Sequence, residues 1–163
     1  MATQRAKSGQ SAFGQYGDIT STDPISQPLT QVFSMELKCG YKGASFWDIM
    51  ASLSTKASKP WEQWMGQAME AKAQSNALSA MLIHKTDRKQ PLVYFEYKTF
   101  KLLRAAHGWA GHKKGITPFM KINVKLPRFR TYKGGNVVLV CMQLDDFLLL
   151  DPECVYGVWE ANF

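Results

Sequence analysis

Apolar positions recur at helical spacing in one long stretch of the chain. Trp61, Trp64, Met65, Ala68 and Met69 stand at i, i+3, i+4, i+7 and i+8, which makes one apolar helix face. Pro60 suits the first turn of such a helix, and Gln63, Gln67, Glu70 and Gln74 form a polar stripe beside the apolar one. Phe46, Ile49, Met50 and Leu53 repeat the same period behind Ser45 and Asp48, a pair resembling a capping box, so the spacing predicts a helix over 45–54. Elsewhere the pattern is that of strands: residues 31–38, 78–84, 91–98, 119–126 and 136–142, with short strands at 17–22 and 155–159. The segment from Thr86 to Pro91, with Asp87 inside it, reads as a hairpin turn. Asp23-Pro24 and Gln27-Pro28 predict a loop. Short helices are expected at 100–107 and 143–150. Residues 1–16 form a polar arm without periodicity, and 108–118 read as a glycine-rich loop.

Length and composition bound this picture. The chain has 163 residues, 45% hydrophobic and 20% charged, which suits one domain over 1–163 with a sizeable core. No apolar run approaches the ~20 residues that span a bilayer. The first ten residues are polar and basic with no apolar segment, so no secretory signal is expected. Cys39, Cys141 and Cys154 are odd in number and far apart, which fits neither a zinc pattern nor a disulfide framework and favours a reducing cytoplasm. The net charge of +7 is unevenly placed. Residues 84–133 carry 13 Lys/Arg against two acidic residues, a local +11 that leaves −4 for the remainder. This asymmetry points to a surface that meets phosphate.

The candidate chemistry lies at the acidic end. Asp18 is followed, eighteen residues on, by Glu36-Leu37-Lys38 at the end of an apolar run. On a strand Glu36 and Lys38 share one face. If Asp18 ends or opens a neighbouring strand, its carboxylate can come near Glu36, and two carboxylates, the Leu37 carbonyl and waters make an all-oxygen site suited to Mg²⁺ or Mn²⁺. Lys38 beside it can orient a water and meet charge on a phosphate. A second E-x-K, Glu96-Tyr97-Lys98, lacks a partner carboxylate. Asp87 stands at the turn, roughly 17 Å of strand away at ~3.3 Å per residue.

The Asp18, Glu36 and Lys38 constellation resembles the PD-(D/E)XK nuclease superfamily. It looks closest to archaeal-type Holliday junction resolvases and the small phage endonucleases related to them. Those proteins place an arginine and a Ser-Gly pair shortly before the aspartate, as Arg5, Ser8-Gly9 and Gly17-Asp18 stand here. A glutamine often follows on the next helix, where Gln67 or Gln63 stands. The resemblance covers about residues 5–98, with 99–163 as a basic and C-terminal extension. It implies an α/β fold, a mixed central β-sheet flanked by helices with a restriction-endonuclease-like core. It further implies a homodimeric, Mg²⁺-dependent endonuclease for branched DNA. Asp18, Glu36 and Leu37 would hold the metal, and Lys38, Ser8 and Gln67 would complete the catalytic set. The family's further glutamate on an N-terminal helix has no counterpart, because no acidic residue precedes Asp18. Fewer carboxylates, help from Glu70 or a partner subunit, or reduced activity are the expectations that follow.

Arg5, Lys7, Lys113, Lys114, Arg128, Arg130 and Lys133 are the candidate DNA contacts. Phe129 and Tyr132, interleaved with the last three, offer stacking surfaces. His107 and His112 lack a third ligand at zinc-like spacing. Two alternatives stay open: a nuclease of the same superfamily with another DNA substrate, or a non-catalytic nucleic-acid-binding protein.

Overall fold

A computed structural model describes residues 17–40, 60–106 and 119–163. The helix expected at 45–54, the arm at 1–16 and the loop at 108–118 lie outside the described residues. So do Arg5, Lys7, Ser8, His107, His112, Lys113 and Lys114.

The described elements are α1 (Gln27–Val32), β1 (Phe33–Cys39), α2 (Pro60–Ser75), β2 (Ser79–Lys85), β3 (Leu92–Glu96), α3 (Tyr97–Ala105), β4 (Met120–Leu126), β5 (Gly135–Gln143), α4 (Leu144–Leu148) and α5 (Pro152–Asn162). The five strands make one sheet in the order β1-β2-β3-β5-β4. β1 and β2 are parallel, with Glu36 beside Leu82 and Lys38 beside His84. The other three pairings are antiparallel. The chain is therefore α/β with a mixed sheet flanked by helices. β5 pairs with both β3 and β4, so residues from the C-terminal part lie inside the same sheet as β1.

Strand alternation divides the core into two layers. On one face Ala80, Leu82, Tyr94, Ile122, Leu139 and Cys141 pack under α2, whose Trp61, Met65 and Ala68 are fully or almost fully buried. The apolar stripe read from the sequence is thus core. On the other face Phe33, Met81, Phe95 and Val140 meet Phe100 and Leu103 of α3, Phe147 of α4, and Cys154 and Val158 of α5. Phe33, Phe95 and Phe147 meet edge to face at 5.4–5.7 Å, the arrangement favoured by ring quadrupoles.

Four expectations change. The strand expected from residue 31 begins at Phe33, because residues 27–32 are helical rather than a loop. Pro28 sits in the first turn, where the missing N–H is needed by no one. Residues 17–22 form no strand. Tyr97 and Lys98 open α3 instead of ending a strand. The strand expected at 155–159 lies within α5. There Asp151 caps the helix by accepting a hydrogen bond from Glu153 N at 3.0 Å, with Pro152 in the first turn.

Candidate active site

Asp18 reaches the outer edge of β1 without being in a strand. Its N–H donates to Met35 O at 2.7 Å, and its Oδ2 accepts from Leu37 N at 2.8 Å. Gly17 makes this approach possible. It holds φ +85°, and a Cβ there would lie 2.7 Å from Met35 O. Side chains other than hydrogen are excluded by both conformation and space.

Glu36 is only 3% exposed. Its Oε1 accepts from Lys38 Nζ at 2.7 Å, as expected of two side chains on one strand face. Burial pushes the Glu36 carboxyl above its usual range; Lys38 opposes the shift, and the Asp18 carboxylate adds to it. A carboxylate close enough to raise the proton affinity of Glu36 makes this a site that favours a cation. Within a strand, a residue's N–H and C=O point to the same side. Since Leu37 N–H turns outward to Asp18, the Leu37 carbonyl faces that same edge.

Asp18, Glu36 and the Leu37 carbonyl are all hard oxygen donors. Mg²⁺ commonly takes one or two carboxylates and keeps several waters, so the donor set fits Mg²⁺ or Mn²⁺. Among the described residues no group of three His, Cys, Asp or Glu side chains comes together as a metal-holding cluster. Glu70 does not supply the further carboxylate. It is buried on α2 and accepts from Thr131 N at 3.3 Å and Thr131 Oγ1 at 2.8 Å, with Arg130 Nη1 at 4.0 Å.

The second E-x-K is spent on structure. Glu96 accepts two bonds from Lys72 Nζ at 2.6 and 2.8 Å and one from Ala80 N at 3.1 Å, and lies 3.3 Å from Lys98. Burial lowers the Lys72 proton affinity while Glu96 opposes the shift.

Gln67 is half-buried on α2, one turn beyond Trp64. The Trp64 ring lies 5.2 Å from His84 on β2, so the flank carrying Gln67 is the one turned toward β2. Arg128, Arg130 and Lys133 are exposed on the turn between β4 and β5. That turn is folded against α2, where a Cβ on Gly66 would come 2.9 Å from Phe129 Cβ. It therefore leaves the sheet at the β4 edge, whereas Asp18 and Glu36 stand at the β1 edge.

Sequence reasoning missed His84. It is 3% exposed, shares a face with Glu36 and Lys38, and is laterally paired with Lys38. Its Nε2 has no hydrogen-bond partner among the described residues, and burial lowers its proton affinity. Alternation within residues 79–85 could have turned it inward; its place beside Lys38 depends on a register that no local pattern encodes. No family model, curated protein or solved structure matches the chain.

Proposed function

We propose that the chain is a Mg²⁺-dependent endodeoxyribonuclease of the PD-(D/E)XK type acting on branched DNA as a homodimer. The observation that carries this reading is the anchoring of Asp18 on Leu37 N–H beside a buried Glu36 that is paired with Lys38. Asp18, Glu36 and the Leu37 carbonyl would hold the metal, which when bound supplies Lewis acidity at a phosphate oxygen and lowers the pKa of water. Lys38 orients the attacking water and offsets negative charge growing on the phosphate. Water oxygen bonds to phosphorus in line, the bond to the 3′ oxygen breaks, and the products are a 5′-phosphate and a 3′-hydroxyl. Exposed Arg128, Arg130 and Lys133 contact backbone without reading bases. Homodimerisation supplies two such sites to two strands.

The lack of a third clustered carboxylate among the described residues favours one second reading, a nucleic-acid-binding protein that no longer cleaves. A labelled four-way junction and a matched duplex, each with Mg²⁺ or EDTA and with wild type or Glu36→Gln, separate the cases. Mg²⁺-dependent paired nicks in the junction, lost in the variant, support the proposal. Equal cutting of both DNAs keeps the nuclease and removes the branch preference. Binding without cleavage throughout leaves the second reading.

A further inference from the structure

The basic residues divide between two surfaces. Ile122, Val124 and Leu126 of β4 pack under α2, so Lys121, Asn123 and Lys125 point to the opposite face. All three are exposed. There Lys121 Nζ lies 4.7 Å from the centre of the Tyr97 ring of α3, and Lys101 Nζ lies 5.8 Å from the same centre. Arg104, one turn further along α3, stands 5.8 Å over Phe100. α3, β4 and β5 contain no acidic residue. Among the described residues no ion pair neutralises Lys101, Arg104, Lys121 or Lys125. Two ammonium groups from different elements thus converge on one ring, within about a Debye length of each other at 0.1 M salt. The ring quadrupole offsets part of their repulsion; a polyanion would offset the rest.

We infer that this α3–β4 face is a second nucleic-acid-binding surface, which holds the backbone of a DNA segment other than the one at Asp18 and Glu36. The inference rests on the nuclease reading for the identity of the polyanion, but its location follows from the sheet. β1 and β4 are the two edges, roughly 19 Å apart at ~4.8 Å per strand spacing, and the lysines point away from the face that carries Glu36. β5 pairs with β3 only through Leu139–Gln143, so β4 and β5 run past the end of β3 as a two-stranded ribbon. Lys125, opposite Asn136, lies on that ribbon, and Lys121, opposite Val140, lies where β5 is still paired with β3; the two are about 13 Å apart along β4. A row of cations beside a half-buried aromatic ring, with no apolar protrusion larger than Val138 on the same ribbon face, suits a phosphate backbone better than a bilayer.

The test uses the full-length protein and a labelled DNA duplex in EDTA, with Kd measured across a range of KCl. Lys121→Gln/Lys125→Gln and Lys121→Glu/Lys125→Glu are compared with wild type, with circular dichroism confirming that each is folded. Removal of two phosphate contacts lowers the slope of log Kd against log salt by about 2 and weakens binding roughly tenfold at moderate salt. Folded variants with unchanged Kd and slope overturn the inference. So does binding of phosphatidylserine vesicles through these lysines with DNA binding unaffected. A protein that loses its salt slope in the variants but never cleaves DNA keeps this surface and loses the nuclease reading. A protein that cleaves while the slope stays fixed does the reverse.

Discussion

Leu37 donates its backbone N–H to Asp18 Oδ2 across 2.8 Å, so the carboxylate is held by the strand that carries Glu36. The acidic pair is built into the main chain of β1 and does not depend on side-chain packing alone. This has consequences for stability, for metal binding and for the response to substitution.

Ionising Glu36 within the fold carries a cost. Its folded-state proton affinity is raised by burial, then lowered in part by Lys38 and raised again by Asp18. A carboxyl with a raised folded pKa contributes stability that is full below its unfolded pKa and is lost as pH rises through the folded one. Above its folded pKa the ionised group therefore weakens the fold. Glu36→Gln is expected to raise Tm by about 2–4 °C at pH 7.5, while Mg²⁺-dependent cleavage disappears. Differential scanning fluorimetry beside the nicking assay checks both halves; a lower Tm would show that the Lys38 pair outweighs burial.

A cation relieves the same cost. Mg²⁺ or Mn²⁺ at about 100 times its Kd should stabilise the wild type by about 2.7 kcal/mol. Ca²⁺ should do so as well if the site only binds. Glu36→Gln and Asp18→Asn should show little of this shift, and EDTA should abolish it. Titration calorimetry gives an independent reading, and equal metal-induced shifts in all three proteins would remove the proposed ligands.

Gly17→Ala places a Cβ 2.7 Å from Met35 O at a φ of +85°. Strain of about 1–2 kcal/mol is expected, concentrated where residue 17 docks. The Leu37 amide should exchange with solvent faster, and metal affinity should fall before global stability does. Wild-type exchange at Leu37 in the variant would mean that Asp18 anchors without the glycine.

His84 responds to pH in the opposite direction from Glu36. Burial lowers its folded-state proton affinity, so below about pH 6.5 the unfolded chain takes up the proton first. The stability associated with neutral His84 is present above that pH and is lost as pH falls toward the lowered folded pKa. The drop in Tm between pH 7.5 and 5.5 should be smaller in His84→Leu than in wild type by about 2–3 °C. Identical acid profiles would place the acid-sensitive group elsewhere.

Gly66 gives the Arg128–Lys133 turn its seat, since a Cβ there would meet Phe129 at 2.9 Å. Gly66→Ala should lift the turn from α2 and disturb the Glu70–Thr131 bonds. Trypsin should then cut after Arg128 or Arg130 several-fold faster. An unchanged digestion rate would show that Phe129 yields without moving the turn.

The long helix was legible because its apolar period runs through about two and a half turns and Pro60 opens it. The strands carrying Glu36 and His84 were legible from alternation. Three features were not. Pro28 reads as a breaker until its position in a first turn is known. Cys154, Val155, Val158 and Trp159 form too short a run to settle its period, although Asp151-Pro152-Glu153 carries a helix-start signal. Asp18 was expected on a strand, but single-sided pairing by one N–H and one carboxylate oxygen has no repeating sequence pattern. The turn around Asp87 was readable, and β3 runs from Leu92 to Glu96 beyond it. The occupation of Glu96 by Lys72, from another element, was not.

β5 lies between β3 and β4 although it is synthesised after both. During translation β3 therefore emerges with one edge unfilled, a row of backbone donors and acceptors open to pairing with other chains. A fragment ending near residue 98 would keep every residue of the candidate metal site and still leave that edge bare. Its expected fate is association, and the late strand acts as the closing piece that makes the early half safe to expose.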